Sequence, residues 1–181
     1  MKLNLIYLNG NQERRNMLCD KIPNLIRVSS YENSIDEYQE RLYHEYKISF
    51  EDKQFYFNGK RIAHKRYPLY KNKSGTFWHI VSSEEKGERK FDIRRAEWIN
   101  FPAHILEYCQ KECDDICIWF NKRKGKKRVL LWCKKIDYVV VLDERKDYYI
   151  FWTAYPVLYG HARRRLEKEY KEYCEEHNIS S

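Results

Sequence analysis

No stretch of this sequence approaches the roughly 20 consecutive apolar residues that a membrane-spanning helix needs. Its first residues also lack the basic-then-apolar layout of a secretory signal. Both absences point to a cytoplasmic protein with no membrane partner. The six cysteines do not show the paired short spacing of a zinc module, so reduced thiols are expected. Cys109, Cys113 and Cys117 fall four apart, as on a helix stripe, but Ile116 to Phe120 reads as strand and breaks the stripe. Also missing are a glycine-rich phosphate loop, a paired-histidine metal motif and a serine elbow. The acidic residues form no two-metal cluster, so the expectation is chemistry without metal or cofactor. Internal repeats, low-complexity tracts and long linkers are absent.

What the chain does have is positive charge and aromatic rings. It carries a formal charge of +8 over 181 residues, and 16% of them are aromatic. Basic surfaces attract phosphate polymers, and aromatic faces offer stacking platforms for unpaired bases. Together they place nucleic acid ahead of small molecules as the expected partner. The densest basic run is Asn121 to Arg128, at the tip of a predicted hairpin. Its Lys122, Arg123, Lys124, Lys126, Lys127 and Arg128 could grip a nucleic-acid backbone or simply be solvated. Arg163 and Arg164 open the last helix, where positive charge opposes the helix dipole and a nearby anion would offset it.

The length suits one domain with a proper core, with residues 1–50 as an N-terminal helical cap or extension and 51–181 as the main body. Met1 to Leu8 reads as a short strand and Gln12 to Ile26 as a helical face interrupted by Pro23. Ser34 caps a helix running to about Tyr46, with Glu37 three residues on. Asn58-Gly59 suits a tight hairpin turn within Phe55 to Ile62. Thr76 to Val81 reads as a strand and Ser82 to Lys90 as a polar loop. Asp92 caps a helix Ile93 to Trp98, and Pro102 opens another to about Glu112.

After Asp115 the period changes. Ile116 to Phe120, Val129 to Cys133, Tyr138 to Leu142 and Tyr148 to Tyr155 are predicted strands joined by short polar turns, an antiparallel meander of four. A charged helix from His161 to about Glu176 follows. The fold class is therefore α+β: N-terminal helices, a four-stranded antiparallel sheet and a C-terminal helix. Such a sheet is expected to carry helices on one face and leave the other open. In the last strand, strict alternation would put Tyr149, Phe151, Thr153 and Tyr155 on one side and Tyr148, Ile150, Trp152 and Ala154 on the other.

Three stretches hold side chains suited to chemistry. His79, in Phe77-Trp78-His79-Ile80, titrates in the range useful for proton transfer, although a histidine bonded into a sheet edge is the plainer reading. Arg95 could fork onto a phosphate, while Arg94 and Glu97 could be no more than a surface pair. Thr153 and Tyr155 stand at a strand end before Pro156, which has no N–H to continue the ladder.

Phe-Trp-His-Ile, Arg94-Arg95-Ala96-Glu97-Trp98, the strand Tyr138-Val-Val-Val-Leu, and Tyr149-Ile-Phe-Trp-Thr-Ala-Tyr-Pro156 followed by a basic helix form a recognisable set. Over residues 55 to 173 the chain resembles the phage-encoded nucleases of the barnase–EndoU–colicin–RelE superfamily. The resemblance implies a helical segment ahead of a four-stranded antiparallel sheet whose open face holds RNA, and metal-independent RNA cleavage. By position it implies His79, Arg95, Thr153 and Tyr155 as the catalytic group. His64 and His161 are the candidates for a second proton carrier. RNA is the implied partner, with a cognate inhibitor or host protein as a further one. The competing expectation is a non-catalytic protein on the same fold that binds nucleic acid or a host factor.

Overall fold

The computed structural model describes residues 22–31, 34–108, 115–123 and 125–179. The predicted strand Met1 to Leu8, most of the predicted helix Gln12 to Ile26, Cys109, Cys113 and Lys124 lie outside these residues. The described end of that helix, 22–26, is irregular backbone.

Helix α1 spans Ile35–Tyr46. Ser34 caps it, its hydroxyl accepting the Glu37 N–H at 3.2 Å. Tyr38, Leu42 and Tyr46 recur every four residues and are fully buried, so one face of the helix is driven into the core. The stripe continues to Phe50 through a turn of π-helix, Lys47–Glu51. Strands β1 (Phe55–Phe57) and β2 (Lys60–Ala63) then form the predicted hairpin. Asn58 and Gly59 both take positive φ, +47° and +72°, as that two-residue turn requires.

The next two expectations are corrected. Residues 75–81 are not a strand but helix α2, Gly75–Val81. Its start is fixed by Ser74, whose hydroxyl accepts the Phe77 N–H at 3.4 Å. Phe77, Ile80 and Val81, at helical spacing, go into the core. Aromatic and β-branched content favoured a strand, but the cap and the three-and-four spacing prevail. Ser82 to Lys90 is likewise not a loop. It holds strands β3 (Ser82–Glu85) and β4 (Glu88–Phe91), paired as a small separate sheet around Lys86 and Gly87 at φ +51° and +84°. Short helices α3 (Ile93–Ala96, capped by Asp92) and α4 (Phe101–Tyr108) follow.

Strands β5 (Ile116–Arg123), β6 (Lys126–Cys133), β7 (Tyr138–Glu144) and β8 (Tyr149–Pro156) pair antiparallel in sequence order, as the period change predicts. The sheet is nevertheless larger than the predicted four strands. Its order is β1-β2-β8-β7-β6-β5, six strands, because β2 pairs in parallel with β8 through Ile62↔Tyr149 and Ala63↔Ile150. A parallel partner needs a long connection, so no short turn in the sequence announces it. Helix α5, Gly160–His177, ends the fold.

The expectation of helices on one face only is also corrected. On one face Leu42, Phe77, Ile80 and Ile105 pack against Val140 and Phe151. On the other, Leu166 of α5 packs with Trp119, Trp132 and Val139. Helix α5 lies over the β5 side of that second face, leaving the β8 side to other groups.

Strict alternation in β8 fails at one place. Val141 faces Thr153 but Leu142 faces Phe151, so Trp152 is an extra residue in a β-bulge. Before it, Tyr149 and Phe151 are buried in the first core; after it, Ala154 takes that role. Trp152 and Tyr155 then pack beside the second cluster. The bulge has turned the strand end over.

Candidate functional site

The bulge sets the geometry here. Beyond Ala63, strand β2 no longer covers β8, and the last turn of α2 takes its place against Thr153 and Ala154. Arg95, from α3, is the fastener. Its Nε donates to the Ile80 carbonyl at 3.1 Å, and its Nη2 donates to the His79 carbonyl at 3.0 Å. The same Nη2 reaches the Ala154 carbonyl and the Thr153 hydroxyl, each at 2.8 Å. Thr153 completes the ring by donating to the His79 carbonyl at 3.3 Å. One guanidinium thus satisfies helix-end carbonyls of α2 and an outward carbonyl of β8, groups that would otherwise be orphaned. Burial pulls the Arg95 pKa below its ordinary value, without bringing deprotonation into reach. The Tyr155 ring lies 5.8 Å from the guanidinium carbon.

His79, Arg95 and Thr153 are therefore brought together, but around the backbone carbonyl of His79 and not its imidazole. The ring itself points elsewhere. It sits 6.1 Å from the Trp152 ring and lines a groove of about 530 Å³ between α1, α2 and the β3–β4 hairpin. No described residue hydrogen-bonds its nitrogens. Burial, then the charges of Arg89, Lys65 and Arg95, push its pKa down to about 4. The imidazole is thus neutral near pH 7 and surrounded by cations, a proton acceptor in a field that attracts phosphate.

Trp152 is the centre of that field. The Arg128 guanidinium stacks on its ring at 3.8 Å, Lys65 lies over it at 4.8 Å and Lys126 at 5.9 Å. Arg128 is nearly buried and faces the fully buried Asp143 at 3.4 Å, which also takes Arg145 at 2.6 Å. Strand alternation splits the basic run. Lys126 and Arg128 face Trp152, whereas Lys122 and Lys127 border a different groove, walled by Glu169, Glu172 and Glu176 of α5. The side chain of Arg123 lies outside the described residues, as Lys124 does.

The remaining candidates fall away from the groove. Arg163 pairs with Asp137 and, at 3.1 Å, with Glu167, tying α5 to the turn before β7. Arg164 is exposed on α5. His161 stacks on Tyr159, with ring centres 5.6 Å apart. His64 lies 3.9 Å from Glu51 and beside Phe50; neither of these histidines lines the groove. Arg94 turns to Asp92 and Tyr159, and Glu97 to Arg27, so the surface pair between them does not form.

Sequence reasoning missed Lys65, Arg89 and the place of half-buried Trp152 among the cations. Arg89 falls in a segment whose composition reads as loop, since Lys86-Gly87 is neither Asn-Gly nor Asp-Gly and has no alternating apolar flanks to mark a hairpin. The role of Trp152 depends on the bulge, which leaves no local mark. Among the described residues, no three His, Cys, Asp or Glu side chains gather as a metal site, and no helix is long and apolar enough to cross a membrane. Comparison with protein-family models, curated proteins and solved structures found no match to this chain.

Proposed function

We propose that the protein binds single-stranded RNA across Trp152 and cleaves it without a metal ion, with His79 as the general base. The observation that carries this reading is the His79 imidazole, which no described residue bonds and which stands between a groove and a cation-ringed tryptophan. In the reaction, neutral His79 takes the proton of a ribose 2′-hydroxyl. The freed oxygen attacks the adjacent phosphorus, the bond to the 5′ oxygen breaks, and water at the open groove protonates that leaving oxygen. Arg89 and Lys65 meet the charge that grows on the phosphate. A bound phosphate also offsets the cost of forming imidazolium among cations. Arg95 and Thr153 act as positioning residues, holding the end of α2 against β8. Cytoplasmic RNA is the substrate pool this chemistry fits.

The test is incubation of purified protein with total RNA in EDTA, alongside His79→Ala at equal folded concentration. Cleavage should leave 2′,3′-cyclic phosphate ends, and His79→Ala should lose about a hundred-fold to ten-thousand-fold in rate while still binding RNA. Undiminished cleavage by the variant removes His79 from the reaction.

A second reading, RNA binding without cleavage, has one observation in its favour. The Nε and Nη2 donors of Arg95 are spent on carbonyls and Thr153, leaving it poorly placed as a phosphate clamp. Wild-type protein that binds RNA and cuts none decides for it.

A further inference from the structure

We propose that the groove beside His79 is a nucleobase pocket in which the side-chain amide of Gln39 reads the hydrogen-bonding edge of one unpaired base. This rests on the ribonuclease reading for its polymer and gives that polymer a base preference. Gln39 projects from the buried side of α1, is only 9% exposed and lines the groove. No described residue hydrogen-bonds its amide. A nearly buried amide with no partner among the described residues calls for a ligand that offers a donor and an acceptor side by side. Ammonium groups or carboxylates satisfy only half of it. The edge of a nucleobase satisfies both halves, as in the bidentate pairing of glutamine with adenine.

The walls suit the flat part of such a ligand. Tyr70 and Trp78 meet edge to face with centroids 5.2 Å apart. The Trp78 indole N–H is already given to the Tyr70 carbonyl at 2.8 Å, so the indole has only its π surface to offer. Arg89 and Lys71 stand at the rim, where the phosphates on either side of an inserted base would lie. With the base seated, its sugar and phosphate are left at the side where His79 opens.

The experiment titrates the full-length protein with each of the four nucleoside 5′-monophosphates and with inorganic phosphate, following tryptophan fluorescence. One nucleotide should bind saturably and more tightly than phosphate. Gln39→Met, which keeps the length and removes the hydrogen-bonding atoms, should weaken it by about ten-fold or more at unchanged melting temperature. Tyr70→Ala, at a residue 62% exposed, gives a second variant should Gln39→Met not fold, and should also weaken binding. Mapping cuts on random-sequence RNA should show one base enriched beside the cut in wild type and no enrichment in Gln39→Met. The pocket is overturned if no nucleotide binds better than phosphate, or if Gln39→Met binds and cuts as wild type does. Gln39-dependent nucleotide binding with no RNA cleavage upholds the pocket and removes the catalytic reading. Cleavage indifferent to Gln39 does the reverse.

Discussion

His79 and Arg95 sit within hydrogen-bond reach of each other's backbone or side chain, yet their environments assign them different tasks. The His79 pKa is pushed down to about 4, so in the free protein its imidazole is already deprotonated across the neutral range. If His79 is the base, kcat/KM should stay flat from pH 7 to about 5 and fall only as pH approaches about 4. An acid limb near 6.5, the ordinary histidine value, would speak against it. The same shift bears on stability. A histidine whose folded pKa lies below its unfolded value adds nothing above the unfolded value and destabilises as pH falls through the window between them. His79→Gln should therefore gain in melting temperature relative to wild type as pH drops from 6.5 towards 4, and hold a constant offset above 7. Arg95 is a different case. Removing it takes the side-chain donor from the carbonyls of Ile80 and Ala154 and leaves that of His79 to Thr153 alone, so Arg95→Ala should cost about 2–4 kcal/mol by urea denaturation. Arg95→Lys, with one compact ammonium in place of the fork, should recover only part of that.

Helix α2 carries His79 and owes its start to Ser74, whose hydroxyl accepts from Phe77 and donates to the Tyr46 phenol at 3.3 Å. Ser74→Ala should cost about 1–2 kcal/mol, measured by denaturation, and, if His79 is the base, should lower cleavage by loosening the helix that holds it. This element shows where legibility ended. Ser34 and Asp92 are readable as caps because each precedes a polar, helix-forming first turn. Ser74 precedes Gly-Thr-Phe-Trp-His-Ile-Val, a composition that local preference assigns to strand; only burial against Tyr46 and Leu42 makes it helix. The C-terminal meander was legible because short turns announce antiparallel neighbours. The parallel join of β2 to β8 and the bulge at Trp152 were not, since both depend on partners distant along the chain or across the sheet. Hence the site residues were partly named, but the side of the sheet they serve was not.

The positive charge of the whole molecule is not spread evenly, and that decides which lysines feel a polyanion. Lys65, Lys126 and Arg128 surround Trp152, whereas Lys122 and Lys127 stand by the glutamates of α5. Lys65→Ala with Lys126→Ala should flatten the slope of log affinity against log salt by about 0.7 for each phosphate that is no longer neutralised, whatever the RNA sequence. Lys122→Ala with Lys127→Ala should leave that slope almost unchanged. Equal effects from both pairs would place RNA across the whole basic hairpin instead of the Trp152 side.

The parallel seam between β2 and β8 has a temporal consequence. Its two halves are separated by the length of chain from Ala63 to Tyr149, and translation delivers them in that order. While the ribosome is still making the middle of the protein, α2 has no Thr153 or Ala154 to dock against, and Arg95 has no strand to fasten. Phe50, Phe55 and Phe57, which later pack around Phe151 and Tyr149, wait without their partners. Nascent chains halted before Tyr149 should therefore be readily digested by protease. Protection of the amino-terminal hairpin should appear only once the last strand has cleared the exit tunnel.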